Sequence, residues 1–435
     1  MTETPRGDAV DEAINALVHG PSRGVVLDSP PGAGKSRAVV RAAVHLAREG
    51  EAVRVVAQTN SQVDDLVDKL GLAAPDLTIG RYVARSYRGD TLARASTVIV
   101  GRSLADLRGA SIVVSTAAKW REPVPPQQRW AIVDEAYQMR SDTLLGLAPM
   151  FDRALFVGDP GQLDPFSVVD VERWTGLPWD PQQSAVAALL SSNPELPVFQ
   201  LPHSWRLPPS AAGPVSAAFY PLAPFGAAPA QGPRRMRLLT EGFATPPDRA
   251  IDQAADAGWA YYELPRRHTL RTDAEAIHAV VELANRVLER GAMLESRDEP
   301  DGTLLQAGRV AIGAAHRDQV AAIRNELERV GRDAVRVDTA NRLQGAEFDV
   351  VLVLHPLSGR RDATAFHLES GRLCVLTSRH RHACIVVGRD GISELLDDHP
   401  SIDPIPLNTR PKFPNGWEAN QTMMDHLLQH RIRVA

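Results

Sequence analysis

Val25-Val26-Leu27-Asp28-Ser29-Pro30-Pro31-Gly32-Ala33-Gly34-Lys35-Ser36 is the stretch on which the fold turns. Three apolar β-formers run into a Gly/Pro turn. Ser36 to Glu49 then repeats apolar residues at helical spacing (Val39, Val40, Ala43, Leu46, Ala47) and stops at Gly50. A strand, a glycine loop and a helix in this order make a phosphate cradle. The glycines let main-chain N–H groups turn inward, and the helix start adds positive potential. Gly32, Ala33, Gly34, Lys35, Ser36 and Arg37 are therefore expected to hold a nucleoside triphosphate, with Lys35 on its β- and γ-phosphates and the Ser36 hydroxyl on Mg²⁺. Ser29 stands where such loops usually begin with glycine. A ligand-free glycine turn is the competing reading, and the Gly-Lys-Ser ending in a strand–helix context weighs against it.

Outward from the loop, apolar strands alternate with helices. Val53–Ala57, Ile112–Val114, Ala131–Val133 and Ala154–Val157 read as strands, and Gln62–Leu70 as a helix. Strands that are apolar throughout indicate a parallel sheet covered on both faces. Prolines at 221, 224, 229, 233, 246 and 247 make 221–250 an irregular excursion. The pattern then resumes, with a helix over Asp273–Arg290 and strands at Arg309–Gly313, Val350–Leu354, Leu373–Leu376 and Ala383–Val387. The expected architecture is α/β, with one lobe over 1–200 and a second over 201–400. A tail over 401–435 follows, with a short helix near Thr422–His430.

Trp130-Ala-Ile-Val-Asp134-Glu135 is an apolar strand ending in two acids. In a parallel sheet this end lies beside the phosphate loop. Asp134 is the expected Mg²⁺ ligand through water, and Glu135 the residue that orients and deprotonates an attacking water. A solvated acidic pair is the alternative, and the upstream loop disfavours it.

Further motifs follow in order. Leu155-Phe-Val-Gly-Asp159-Pro-Gly-Gln162-Leu163-Asp-Pro165 resembles motif III of superfamily 1 helicases. Ala57-Gln-Thr59-Asn60-Ser-Gln-Val-Asp64-Asp-Leu66 resembles motif Ia of the Upf-type branch, and Ser115-Thr116 the motif after it. Ser204-Trp205-Arg206-Leu207-Pro-Pro is similar to the Gln-Tyr-Arg-Met-His-Pro motif that opens the second lobe. Val337-Asp338-Thr339-Ala-Asn-Arg-Leu-Gln344-Gly345-Ala-Glu347-Phe-Asp349 resembles motif V, and Leu373-Cys-Val-Leu-Thr377-Ser378-Arg379-His-Arg381 motif VI. The resemblance covers about residues 25 to 390. It implies two RecA-like lobes, each a mostly parallel sheet flanked by helices, that use ATP and Mg²⁺ to act on single-stranded nucleic acid.

On this resemblance Gln162 senses the γ-phosphate, and Arg206 and Arg379 stabilise the transferring phosphoryl group. Gly345 and Glu347 lie on the nucleotide, with Glu347 at the ribose. Thr59, Asn60, Ser115, Thr116 and Thr339 lie along the nucleic acid. Trp205 replaces a tyrosine that stacks on adenine. An indole can stack equally well, and burial in the core is the other reading. Each polar residue has a blander alternative: a loop amide for Gln162, surface ion pairs for the two arginines.

Net charge is -5, so a nucleic-acid site has to be a local groove. Arg234-Arg235-Met-Arg237 and Arg266-Arg267-His268 are basic clusters that fit either phosphates or a solvated face. Cys374 and Cys384 are the only cysteines, which excludes a disulfide framework and fits a reducing cytoplasm. With His380 and His382 they match no common zinc spacing. No run approaches the roughly 18 apolar residues of a membrane span, and the N-terminus has no apolar leader, so a cytoplasmic protein is expected with no membrane partner.

The segment before the first strand, Asp8 to His19, has no glutamine to read an adenine edge; Asn15 is its only amide. The family's accessory domains are not evident between Leu70 and Ile112. The leading expectation is a helicase or translocase moving 5′ to 3′, the direction resting on the resemblance alone. The alternatives are a nucleic-acid-stimulated ATPase that does not unwind, and an ATP-switched binding subunit of a larger complex; the tail, Pro414-Asn-Gly-Trp417-Glu-Ala-Asn420, could dock a protein partner, with packing on the second lobe the favoured reading of it.

Overall fold

A computed structural model describes residues 8–88, 97–122, 124–163, 165, 183–400 and 415–434. Asp164 of the third motif, Pro414 of the tail and residues 1–7 lie outside the described residues. The chain separates into two compact units. The first is Met1–Pro30, Gly34–Pro160 and Asp164–Leu201; the second is Pro31–Ala33, Gly161–Leu163 and Pro202–Ala435.

The first unit is built on β1 (Gly24–Asp28), β2 (Val53–Ala57), β3 (Ile79–Tyr82), β4 (Val98–Gly101), β5 (Ile112–Thr116), β6 (Gln128–Val133), β7 (Phe151–Gly158) and β8 (Val198–Gln200). They form one sheet in the order β4-β3-β5-β2-β6-β7-β1-β8, parallel throughout. β1 and β2 are buried at every position, as expected of mostly apolar central strands, and the one arginine among them, Arg54, donates to the Met150 carbonyl at 2.6 Å. Because all strands run one way, their carboxyl ends share an edge, and ligands in such sheets bind beyond that edge. Asp28, Ala57, Thr116, Val133 and Gly158 all end their strands there.

The second unit contains β9 (His203–Ser204), β10 (Gly226–Ala227), β11 (Arg235–Leu238), β12 (Trp259–Leu264), β13 (Ala292–Glu295), β14 (Thr303–Leu304), β15 (Val310–Ala314), β16 (Arg336–Thr339), β17 (Phe348–Leu354), β18 (His380–Arg389) and β19 (Arg431–Arg433). Its main sheet, β16-β15-β17-β18-β12-β19, is also parallel throughout. The helix Ala274–Arg290 buries Ile277, Val280, Val281, Leu283, Ala284 and Val287 in the core on one face of that sheet. Each unit is a RecA-like lobe: a parallel sheet flanked by helices.

Two expectations need correction. Leu373–Leu376 is not a strand but the middle of a helix, Ser370–Thr377. Every residue from Gly371 to Thr377 is buried, so the run shows no helical alternation to read. The excursion 221–250 is partly regular. Arg235–Leu238 pairs antiparallel with Ala292–Glu295, and Pro246 opens a helix that runs to Ala257. Proline is well tolerated there because the first helical turn has no internal N–H bond to lose, and Thr245 caps the turn by accepting from Asp248 N. The described part of the tail belongs to the second unit. Its helix spans Gly416–Leu428, β19 pairs with β12, and Trp417 Nε1 donates to the Leu396 carbonyl at 2.7 Å. Buried Met423, Met424 and Leu427 join the core on the sheet's other face. No helix among the described residues is long and apolar enough to cross a membrane.

Candidate nucleotide site

In the first unit the loop after β1 enters the helix Lys35–Arg48 through Gly34, which caps it in the left-handed region at φ 93°. Gly32 is also left-handed, at φ 72°. Both positions favour glycine, which has no Cβ to clash there. Ser29 N donates to the Gly158 carbonyl at 2.8 Å, tying the loop's start to the end of β7.

Lys35 opens the helix, and its ammonium donates to Glu135 Oε1. Burial disfavours the charge on Lys35. Glu135, Asp134 and Asp159 together outweigh that and hold its pKa above the ordinary lysine value. Asp134 and Glu135 follow β6, both nearly inaccessible. Burial lifts the Asp134 carboxyl to about 6 despite the opposing pull of Lys35, and the charge of Glu135 adds to the rise.

Glu135 has a left-handed backbone, φ 52° and ψ 40°. Such a conformation costs a non-glycine residue about 1–3 kcal/mol and collects at functional positions. Two contacts hold the turn: Glu135 N donates to Asp134 Oδ1 at 2.9 Å, and Gln138 Nε2 donates to Glu135 Oε2 at 2.8 Å. Each carboxylate oxygen of Glu135 therefore has its own donor, Lys35 on one side and Gln138 on the other.

The donor set fits a divalent cation. Three acids, Asp134, Glu135 and Asp159, act on one ammonium, and a buried carboxyl pushed upward is short of positive charge. Asp134 and Ser36, in the first turn of the helix, are the residues that would hold Mg²⁺.

Sequence reasoning missed three residues here. Asp159, the acid of the Gly-Asp pair at the end of β7, was quoted only for its family resemblance. Asp28 ends β1 and is buried, and the Tyr137 hydroxyl donates to its Oδ1. The Tyr137 ring lies over Gly158, where an added Cβ would come within 2.8 Å of it. An acid closing an apolar strand was the available signal for Asp28.

The residues expected along nucleic acid also end strands of this sheet. Exposed Thr59 caps the helix Asn60–Ala73, accepting from Gln62 N. Asn60 Oδ1 accepts from Arg81 Nη2 at 2.8 Å, and Arg81 also pairs with Asp64. Thr116 is half-buried and caps the next short helix. Ser115 is fully buried, and its hydroxyl donates to the Tyr82 carbonyl at 2.6 Å. Of that pair only Thr116 reaches the surface.

In the second unit, Trp205 is 50% exposed, which rules out the core-packing reading. Arg206 Nε donates to Glu347 Oε2 at 2.9 Å. Burial favours the neutral form of Glu347, but Arg206, Arg381 and Arg234 outweigh it and hold its pKa below the ordinary value. Arg206 Nη1 is buried and has no hydrogen-bond partner among the described residues, an open donor on a charged group.

Arg234, read from sequence as a phosphate contact or a solvated face, does something else. Its Nη1 donates to the carbonyls of Arg206 and Arg381, and its Nη2 to that of Trp205 at 2.6 Å. In the same unit Trp205 N donates to the Gly32 carbonyl at 2.9 Å, and Ser204 Oγ to that of Pro31 at 2.6 Å. A Cβ on Gly32 would lie 2.3 Å from Arg206 Cβ, a second reason for glycine there. Gln162 Oε1 accepts from Gln344 Nε2 at 2.6 Å; Gln344 was quoted in the sequence without a role.

Arg379 is buried, with Nε donating to the Val375 carbonyl at 3.2 Å and Nη2 to Ser378 Oγ at 2.8 Å. Gly345 is exposed at φ 79°, just before Glu347. Thr339 ends β16, half-buried. Cys374 and Cys384 are buried free thiols, one in the helix Ser370–Thr377 and one in β18.

Comparison with known proteins places a class on this arrangement. Residues 9–171 match one AAA-domain family model, and residues 262–391 match another. With a phosphate loop after β1, the two matches place a P-loop AAA-type domain in each half of the chain.

Among solved structures it is similar to the helicase of PRRSV, at 16% identity and a TM-score of 0.43, over 91% of this chain and 57% of that one. It is also similar to the arterivirus nonstructural protein 10 helicase, at 14% identity and 0.46, over 90% and 63%. The same viral helicase in complex with DNA matches at 15% and 0.44, over 89% and 65%. The chain thus spans less than two-thirds of the length of each. No curated protein matches it.

Proposed function

We propose that the protein is an ATP-dependent nucleic-acid translocase or helicase of the Upf-type branch that moves 5′ to 3′ on single strands. The observation that carries the reading is the Lys35 ammonium held among Asp134, Glu135 and Asp159 at the carboxyl edge of a parallel sheet. A site that only binds nucleotide has no use for a buried glutamate in a strained backbone at that edge; a site that activates water does.

When ATP enters, Lys35 exchanges Glu135 for the β- and γ-phosphates. Glu135, still held through Oε2 by Gln138, then orients the attacking water and takes its proton. Ser36 and Asp134 would hold Mg²⁺, which would supply positive charge to the phosphates. Trp205 stacks on the base, and Glu347 and Gly345 lie at the sugar. The open Nη1 of Arg206 and the guanidinium of Arg379 stabilise the transferring phosphoryl group. The Gln162–Gln344 amide pair registers the γ-phosphate. Thr59, Asn60, Thr116 and Thr339 contact the strand, with Ser115 bracing the end of β5. Closing and reopening of the lobes during the cycle steps the protein along the strand.

The test is ATPase rate with and without single-stranded DNA or RNA across salt, followed by strand displacement on duplexes with 5′ or 3′ overhangs. Stimulation that falls as salt rises, with displacement from the 5′ overhang, is the expected result. Stimulation without displacement leaves a translocase. No stimulation by either nucleic acid at low salt overturns the motor and favours an ATP-switched binding subunit.

A further inference from the structure

One basic motif takes no part in the nucleotide site: Arg266-Arg267-His268, directly after β12. In the second unit these residues line a cavity of about 460 Å³ with Arg360 and Arg361, which follow β17, and with the turn after β18. Asp390, Asp398 and His399 complete the polar lining. Four guanidinium groups face two carboxylates, so the cavity is net positive in a chain whose formal charge is -5. Arg267 is paired with Glu275 and Arg360 with Asp362. Arg266 and Arg361 have no ion-pair partner among the described residues, and both are exposed. Arg360 Nε is buried without a hydrogen-bond partner among the described residues.

The cavity walls are held in place. His268 Nδ1 and the Arg360 carbonyl are 3.2 Å apart. Gly391, at φ 99°, lets the Arg266 side chain lie across the turn, where an added Cβ would sit 3.0 Å from its Nε. The segment carrying Arg360 and Arg361 is anchored further on by Phe366, which stacks on His316 at 4.8 Å and lies under the Arg372 guanidinium at 3.8 Å. Lone surface arginines swing freely, whereas this cluster is presented on a fixed frame.

Topology says what the cavity faces. All six strands of the sheet are parallel, so the ends of β12, β17 and β18, which form the cavity, lie on the same edge as Thr339 at the end of β16. β12 is four strands from β16, about 19 Å at about 4.8 Å per step. The end of β15, with His316, lies between. A polyanion laid across this edge from Thr339 would reach the cavity after a few repeating units. A free nucleotide would need one pocket and no track.

We propose that the cavity is a second nucleic-acid contact, binding phosphodiester groups of a single strand that has already crossed the end of β16. The inference rests on the nucleic-acid reading above and extends it to residues outside the ordered motifs.

The test pairs Arg266→Gln/Arg361→Gln with Arg266→Lys/Arg361→Lys, and measures affinity for oligonucleotides of increasing length across salt. Both side chains are exposed, so neither exchange opens the core. In the glutamine pair the salt slope for long strands should fall by about 1.4, at about 0.7 per phosphate contact on a single strand. Affinity for the shortest strands should be retained. The lysine pair should keep the slope, since charge rather than guanidinium geometry is what the phosphates meet.

If wild type binds strands and the glutamine pair matches it in slope at every length, this proposal falls while the nucleic-acid reading stands. If wild type binds no single strand at low salt, both fall. If the glutamine pair loses binding of inorganic phosphate but not of oligonucleotides, the cavity is a small-anion site and the proposal is overturned.

Discussion

Arg234 holds Arg206 by its main chain: the guanidinium donates to the Arg206 carbonyl and, through its other arm, to that of Trp205. A planar fork reaches separated carbonyls from two nitrogens, whereas the three donors of an ammonium all radiate from one. Burial lowers the Arg234 pKa to about 10, so it remains charged at neutral pH. Arg234→Lys should therefore loosen the Trp205–Arg206 turn and lower kcat about tenfold or more, given about 1.5–3 kcal/mol for a hydrogen bond to a charged group. Steady-state ATPase in a double-mutant cycle with Arg206→Ala checks it. If Arg234 acts through Arg206, the lysine exchange adds little to the loss in kcat already caused by Arg206→Ala. A full additional loss would mean that Arg234 serves the fold alone.

Glu135→Gln should bind ATP and Mg²⁺ with near-wild-type affinity and turn over about 10²–10⁴-fold more slowly. The amide keeps the shape and can still accept from Lys35, but it cannot take a proton from water. Nucleotide titration alongside single-turnover hydrolysis separates the two effects. Near-normal turnover would place the base elsewhere.

The raised carboxyl of Asp134 makes a prediction with a definite sign. Unfolded, an aspartate titrates near 4; in the fold it titrates at about 6. The folded chain therefore holds this proton more tightly. The associated stability is full below about pH 4 and is lost as pH rises through 6. Asp134→Asn removes the titration. Without nucleotide or Mg²⁺, the melting temperature of the variant should gain on wild type from pH 4 to 6, and the difference should level off above. A difference that is flat across that window would mean that Asp134 does not carry the burial penalty.

Ser115→Ala should cost about 1 kcal/mol of stability and leave single-strand affinity unchanged, because the hydroxyl is spent on the Tyr82 carbonyl inside the first unit. Urea unfolding and strand binding report the two separately. Weaker binding at unchanged stability would return Ser115 to the nucleic-acid surface.

The legible parts of the site were local. Gly34-Lys35-Ser36 and Asp134-Glu135 each follow an apolar strand, so chemistry and position appear in one short window. The same logic failed at Leu373–Leu376, where burial on every side of a helix erased the periodicity that separates helix from strand. It failed at Pro246-Pro247 for a different reason. Those prolines look like breakers, yet Thr-Pro-Pro-Asp is also how a capped helix begins.

Arg234 could not be assigned at all from sequence. Its role depends on carbonyls 28 and 147 positions away, and a carbonyl leaves no trace in side-chain pattern. Glu135 gave its chemistry but not its strained backbone, which a carboxylate side chain does not announce.

β19 has a consequence for how the protein is made. β12 lies between β18 and β19, so it waits for Cys384 to pair with Trp259 on one side and for Arg433 to reach Glu263 on the other. The second gap is 170 positions. On the ribosome β12 emerges long before either neighbour, a hydrogen-bonding edge with nothing beside it. Pairings this distant close slowly and expose aggregation-prone strands meanwhile. A nascent chain paused before residue 431 would still lack the strand that covers the outer edge of β12, so that edge stays open until β19 emerges and a holding chaperone is useful until then.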